Sequence, residues 1–349
     1  MKVLVTGHKG YIGSVLVPQL LERGHDVHGL DTDLFADCTY TGSLVSVPEL
    51  KWDTRDIEPG MLEGYDAVIH LAGLSNDPLG DYDPSLTESI NTMASVRVAR
   101  LAKQAGVSRF LFASSCSTYG ASGSNFLDES ASFRPVTPYG RSKVQVELAV
   151  SPLADDKFCP VFLRASTAYG MSPRIRFDLV VNNLVAWAYT TGEVFLKSDG
   201  SPWRPIVHVE DIALAYICAL EAPVEDVHNR AFNVGSTTEN YQIKDIAELV
   251  RRAVPGSRIG FAEDAAPDKR CYRVDCSYIA RTLHSFKPQW TAQRGIEHLY
   301  ETFSTVGLTV DDFEGERFKR IAHVHKLIQD GVIDQDLRPM ERIRHARAG

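Results

Sequence analysis

Two side chains four residues apart, Tyr139 and Lys143, put a phenol and an amine on one face of a helix. A phenol can take a proton from an alcohol once its anion is favoured, and an ammonium one turn away favours it. An unperturbed tyrosine titrates near ~10, and lowering that by about three units takes roughly 4 kcal/mol of differential stabilisation. A second chemical segment opens the chain, Thr6-Gly7-His8-Lys9-Gly10-Tyr11-Ile12-Gly13, between an apolar strand and a helix. Gly7 permits the tight turn, Gly10 lets the backbone approach a pyrophosphate, and Gly13 lets the helix pack on the strand. Asp31, closing the second strand, can accept both hydroxyls of an adenosine ribose and would repel a 2′-phosphate, which favours NAD over NADP. Together the segments predict a proton acceptor beside a dinucleotide hydride carrier.

Such residues act only if a scaffold brings them together. Lys2 to Thr6 is a short apolar run suited to a buried parallel strand. Tyr11 to Arg23 has helical spacing and stops at Gly24, while Asp26 to Leu30 and Asp66 to Leu71 read as strands. Leu86 to Ala105 predicts one long helix, and Phe110 to Ala113 and Phe158 to Leu163 predict further strands. Pro138 opens the helix that carries Tyr139 and Lys143. The expected fold class is therefore α/β, a Rossmann-type doubly wound parallel sheet with right-handed crossovers. Ligands should lie outside the carboxyl ends of its strands, where Gly7, Asp31, Gly73, Ser115 and Arg164 fall.

Beyond Ala165 the pattern loosens, and Pro173 to Thr190, Val209 to Leu220, Gln242 to Val254 and Thr291 to Phe303 look helical. The expected organisation is an NAD-binding domain over residues 1–165, with returns at 205–235, and a smaller α/β substrate-binding lobe over 166–310 at the carboxyl edge. A charged helical extension follows over 311–349, pictured as one or two surface helices packing on a neighbour.

At 349 residues the chain can bury a full α/β core. A formal net charge of −8 argues against a general polyanion binder, so no nucleic-acid partner is expected, while a local basic pocket for one diphosphate is compatible with it. The six cysteines form no CxxC pair and no metal-type spacing with histidine, so free thiols and no metal site are expected. With the first strand at Lys2 no secretory leader is expected, and the most apolar helix, Ile212 to Leu220, is far too short for a bilayer. The expectation is a cytoplasmic protein with no membrane partner.

Several ordered motifs carry a family resemblance: TGHKGYIGS at the start, DTRDI at 53–57, HLAG at 70–73, Asn91, FASSCSTYG at 112–120, YGRSK at 139–143 and RPIVHVEDIA at 204–213. Over roughly residues 1–305 the chain resembles the extended short-chain dehydrogenase/reductase superfamily, in its NAD-dependent nucleotide-sugar epimerase/dehydratase branch. The resemblance implies that Gly7, Gly10, Tyr11, Ile12, Gly13 and Asp31 hold NAD, with Asp56 and Ile57 flanking the adenine. Leu71, Ala72 and Gly73 would pass beneath the cofactor, Asn91 would support the active-site helix, and Tyr139 and Lys143 would reach the nicotinamide end. Tyr139 would be the general base and Ser115 the hydroxyl bridging it to the reacting sugar, with Ser114 and Ser117 as alternatives on the same loop. The implied substrate is a nucleotide-diphosphate sugar met by Ser75, Ser117, Thr167, Arg174, Arg204 and Arg270, and the implied assembly is a homodimer through two exposed helices.

Departures from the family pattern bear on the reaction. In the family's 4,6-dehydratases Asp and Glu follow the catalytic threonine; here Cys116 and Ser117 stand there, poor substitutes for a carboxylate acid/base pair. Dehydration is disfavoured. The 3,5-epimerases of the family place a reactive cysteine where this chain has Ser117, so Cys116 either faces the sugar one residue early or is a buried inert thiol. Arg164-Ala165-Ser166-Thr167 replaces the family's Arg-Tyr-Phe-Asn, which puts Thr167 in the place of a pyrophosphate-binding amide. Arg174, Arg176, Arg204 and Arg270 could supply the charge, Arg204 first because it matches the family's phosphate arginine. The expected function is an NAD-dependent epimerase that transiently oxidises a nucleotide sugar at C4. An NAD-linked dehydrogenase or 4-ketoreductase is the alternative, and a non-catalytic dinucleotide sensor would have no use for the Ser115, Tyr139 and Lys143 set.

Overall fold

Val3, Leu4 and Val5 are all fully buried, as a parallel strand covered on both faces requires. The computed structural model describes residues 1–75, 83–121, 125–266 and 271–340. Its strands, in chain order, begin with β1 (Lys2–Thr6), β2 (Asp26–Asp31), β3 (Glu49–Lys51), β4 (Ala67–His70) and β5 (Arg109–Ser115). Then come β6 (Phe126–Leu127), β7 (Cys159–Ala165), β8 (Thr167–Tyr169), β9 (Glu193–Ser198) and β10 (Trp203–His208). The last are β11 (Arg230–Val234), β12 (Asn240–Gln242), β13 (Arg258–Ala266) and β14 (Arg273–Val274).

Seven of them form one sheet in the order β11-β7-β5-β4-β1-β2-β3, with every pairing parallel. The fold is thus the doubly wound α/β sheet. Alternation along each strand sorts the core into two layers. Val3, Val5, Ile69 and Val161 face the helices Gly13–Glu22 and Val209–Glu221, whereas Leu4, Val68, Phe110 and Phe162 face Ala94–Gln104 and Pro138–Val150. Strand order reverses between β1 and β4, which opens a crevice at their carboxyl ends where Gly7 and Ala72 lie.

A smaller lobe grows from the end of β7 through β8, which pairs with β10 and, beyond it, β12; β9 and β13 form a second small sheet. Its core joins Val181, Leu184, Ile246, Val250, Ile296 and Leu299 from three helices, Val180–Thr191, Ile243–Ala253 and Ala292–Val306. Among the described residues no helix is long and apolar enough to cross a membrane.

Three local readings differ from the structure. The single helix over Leu86 to Ala105 is interrupted by a π-helical turn at Glu88–Met93, and the widened turn carries Asn91, whose side chain bonds both backbone polar groups of Leu74 (2.7 and 2.9 Å). The helix placed at Pro173 starts only at Val180, because Arg174, Arg176 and Asp178 are drawn into ion pairs that hold residues 173–179 as a loop. β3 went unseen because all three of its residues are exposed and make no apolar run.

The extension forms two short helices. Val310–Glu314 and Arg320–Gln329 fold back on their own chain, with Phe313 and Phe318 against Phe177 (5.9 and 5.7 Å between centroids). Val324, Ile333 and Leu337 then pack with Leu34, Leu74 and Ile90 beside the sheet's crevice.

A close backbone approach at Gly13 yields a test. A Cβ on Gly13 would lie 2.4 Å from the Gly7 carbonyl oxygen and 2.6 Å from the His8 Cα, both backbone atoms. Glycine-to-alanine changes inside helices ordinarily gain about 1 kcal/mol. Gly13→Ala should instead lose about 1–3 kcal/mol, the cost of overpacking, when unfolding is followed in urea.

Candidate active site

The glycine turn is held from several sides. Gly7 adopts φ 73°, donates its N–H to the Leu30 carbonyl (2.8 Å), and leaves so little room that a Cβ would stand 2.8 Å from the Ala72 nitrogen. Asp31 accepts from the backbone N–H groups of Lys9 (3.0 Å) and Asp33 (2.9 Å), and burial raises its carboxyl above the ordinary value. Lys9 in turn reaches Asp33 (3.1 Å) and Glu49 (2.9 Å) with its ammonium. A cradle that excludes side chains, with a carboxylate at the end of β2, fits the pyrophosphate and ribose of NAD.

Tyr139 and Lys143 stand on the helix Pro138–Val150, whose start is fixed by Pro138 and by Thr137 accepting from the Gly140 N–H (3.1 Å). The Lys143 ammonium is 5.3 Å from the Tyr139 ring centroid and 4.8 Å from that of Phe112. Burial pulls Lys143 down to about 8, with Glu147 opposing the shift.

The three serines at the end of β5 are not equivalent. Ser114 donates to Glu147, which is clasped by Arg164 (2.6 and 3.0 Å), so its hydroxyl is committed to a buried network. Ser115 lines the cavity, and its oxygen accepts from the Ser117 N–H (3.1 Å). The Ser117 hydroxyl is buried, lines the same cavity, and has no hydrogen-bond partner among the described residues. Cys116 points the other way: it is fully buried, donates to the Arg164 carbonyl (3.1 Å), and burial pushes its thiol up to about 12. It is an inert core thiol.

All of these elements open on one cavity of about 970 Å³, at the upper end of the range for small-molecule sites. The structure brings to its wall Gly7, Gly10, Tyr11, Ile12, Gly13, Asp31, Leu71, Ala72, Gly73 and Ser75, together with Ser115, Ser117, Tyr139, Lys143, Thr167 and Arg204. Four candidates are elsewhere. Ile57 is fully buried in the core, and Asp56 turns to Arg338 of the extension, so Asp53, Thr54 and Arg55 line the cavity in their place. Asn91 acts from behind, through Leu74 and, at 3.5 Å, the Ser142 hydroxyl. Arg174 pairs with Asp33 (3.1 Å) on the β2 side, away from the place expected for a substrate diphosphate contact. Arg270 lies outside the described residues.

Other wall residues were missed or undervalued. Arg176 lines the cavity and binds Asp178 (2.6 Å) and the Ser75 hydroxyl (3.2 Å). Burial works against its charge, but Asp178 outweighs burial and keeps the guanidinium above its ordinary value, with Tyr139 and Tyr11 adding to the effect. Asn183, Phe195, Lys197 and, from the extension, Phe313, Lys319 and Arg320 complete the wall. No local motif marks them, because they meet only when the lobe and extension fold over the sheet. No cluster of metal-binding side chains occurs among the described residues.

Comparison with known proteins gives matches over most of the chain. Residues 3–235 match the model of the NAD dependent epimerase/dehydratase family. The chain is similar to a UDP-glucose 4-epimerase of Lactobacillus helveticus, 30% identical over 322 residues that cover 83% of this chain and 92% of the relative. It is also similar to UDP-glucuronic acid decarboxylase 1 of Arabidopsis thaliana, 27% identical with 90% and 72% of the two chains covered. Among solved structures, MoeE5 in complex with UDP-glucuronic acid and NAD superposes with a TM-score of 0.76 at 25% identity, over 88% of this chain and all of the other.

Lys143 supplies a prediction with a definite sign. Because its folded value is about 8 against an ordinary 10.5, the buried ammonium costs stability below pH 8. That cost fades as pH rises from 8 to 10.5, where both the folded and the unfolded chain end up neutral at this position. Lys143→Met keeps most of the packing, so it should raise the melting temperature of NAD-free protein at pH 7 relative to wild type. The advantage should shrink steadily toward pH 10, as read by parallel thermal melts.

Proposed function

The chain belongs to the NAD dependent epimerase/dehydratase family, and from that premise we propose that it epimerises a nucleotide-diphosphate sugar by transient oxidation at C4. NAD is the cofactor, and when bound it supplies the hydride acceptor and the returning donor that such an inversion needs. The observation that carries the choice of reaction is the loop after β5, which presents the hydroxyls of Ser115 and Ser117 to the cavity and turns Cys116 into the core. No carboxylate stands on that loop to remove or donate a proton for loss of water.

Tyr139 Oη takes the proton of the C4 hydroxyl, and the Lys143 charge one turn away favours the phenolate. Ser115 Oγ bridges the sugar oxygen and the phenol, so the proton leaves and returns along one short path. Ser117 offers a further hydroxyl to the sugar, while Arg204 holds the substrate diphosphate where guanidinium forks suit paired phosphates. Arg176, bound to Ser75 and acting on Tyr139, borders the sugar end. The keto sugar would turn its opposite face toward the cofactor side of the cavity before Tyr139 returns the proton to the C4 oxygen. A homodimer would form through the helices bearing Met93 and Leu148, each 63% exposed.

Incubation with a panel of nucleotide sugars, followed by NMR and by absorbance of reduced nicotinamide, tests the reaction. Interconversion of C4 epimers with no net NADH is expected. A 6-deoxy-4-keto product would show dehydration, and stoichiometric NADH would show a dehydrogenase. Tyr139→Phe should lower turnover by about 10²- to 10⁴-fold and leave NAD bound.

A further inference from the structure

Arg320 opens the helix Arg320–Gln329 in the C-terminal extension, outside the segment 3–235 that matches the family. It is 5% exposed and lines the cavity. Its guanidinium lies 3.9 Å from the Phe35 ring centroid, and Nη2 donates to the Arg174 carbonyl (3.2 Å). Nη1 has no hydrogen-bond partner among the described residues, and neither do Nε and Nη1 of the equally buried Arg174.

The local charge does not balance. Three buried guanidiniums, those of Arg174, Arg176 and Arg320, are met by two carboxylates: Asp33 beside Arg174 (3.1 Å) and Asp178 beside Arg176 (2.6 Å). Asp33 is further shared with Lys9 (3.1 Å). Cys38, the acidic group that acts on Arg320 most strongly, is no counter-ion, since burial raises its thiol and it donates to the Arg317 carbonyl (2.8 Å). Burial, with Arg176 and Arg174 close by, brings Arg320 down to about 10. A buried guanidinium with an orphaned N–H and no carboxylate of its own is costly unless a bound anion completes it.

We propose that Arg320 is a diphosphate-binding residue of this cavity, so that the C-terminal extension completes the binding site. A diphosphate offers paired oxygens in the geometry a guanidinium fork matches. Two diphosphates belong here, that of NAD and that of the sugar nucleotide, and the second rests on the function proposed above. Arg320 stacks on Phe35 and adjoins the Arg174–Asp33 pair, both just beyond Asp31, which puts it on the cofactor's side.

Calorimetric titration of the full-length chain separates the sources. NAD-free protein is titrated with ADP-ribose and with AMP, and NAD-loaded protein with UDP, dTDP, GDP and CDP and their monophosphates. Arg320→Met keeps an unbranched stem over Phe35 and removes the charge. It should cut the preference for ADP-ribose over AMP by about tenfold or more and leave AMP affinity within about twofold. An equal cut confined to the nucleoside diphosphates would support the proposal and assign the contact to the substrate. Unchanged preferences in both arms, or AMP and ADP-ribose weakened alike, would overturn it. If Arg320→Met does not fold, Arg320→Lys, which retains charge but loses the fork, makes the same comparison, and an undiminished preference there overturns the proposal. Wild-type protein that binds no nucleoside diphosphate better than its monophosphate would count against the sugar-nucleotide reading, leaving the ADP-ribose arm to judge Arg320.

Discussion

The buried pair between Glu147 and Arg164 is the constraint on which the arrangement of the site depends. Both side chains are about 6% exposed, and the guanidinium meets the carboxylate at 2.6 Å. Glu147 lies one turn beyond Lys143 on the helix Pro138–Val150, Arg164 lies on β7, and Ser114 on β5 adds a further bond to the same carboxylate. Arg164 also donates to the Tyr119 hydroxyl (3.0 Å), which donates to Asn233 of β11 (2.7 Å). One ion pair therefore ties the helix carrying Tyr139 and Lys143 to three adjacent strands, one of which ends in Ser115. Taking away either partner would strand a buried charge, at a cost of about 3–5 kcal/mol. The pair is best understood as a device for position, since its desolvation offsets much of its attraction.

Burial serves opposite ends one turn apart on that helix. At Glu147 and Arg164 it encloses a satisfied pair, whereas at Lys143 it works against the ammonium and lowers its affinity for the proton. The same contrast divides the loop after β5. Ser114 and Cys116 are held by Glu147 and by the Arg164 carbonyl, which leaves the hydroxyls of Ser115 and Ser117 to the cavity. The end of β5 and the 3-10 turn Cys116–Tyr119 that follows it thus set the surroundings of four consecutive side chains.

The extension alters what the cleft is. In a doubly wound sheet the crevice at the switch point is open on the side away from the strands. Here Phe313, Phe318 and Leu337 cover part of it, Arg338 pairs with Asp56, and Arg55 donates to the Asp336 carbonyl (2.8 Å). Cofactor side and lobe side are thereby bridged by one continuous segment of chain.

Much of this was legible in the amino-acid sequence, because it rests on local physics. Gly7 requires a positive φ and Gly13 a close approach, the Tyr139/Lys143 spacing is one helical turn, and the apolar runs alternating with helical stretches allow few folds other than a doubly wound sheet. Only the tertiary structure decided among partners far apart in the chain. It committed Ser114 to Glu147, turned Cys116 inward, gave Arg174 to Asp33 across 141 residues, and set Arg338 on Asp56 across 282. It also converted a charged tail with sparse apolar residues into a wall of the site, since a few well-placed side chains such as Phe313, Phe318 and Leu337 bury it without any periodic trace. Periodicity and turn chemistry report on neighbours in sequence, whereas a charge or a hydroxyl acquires its role from whichever groups the closed fold sets beside it.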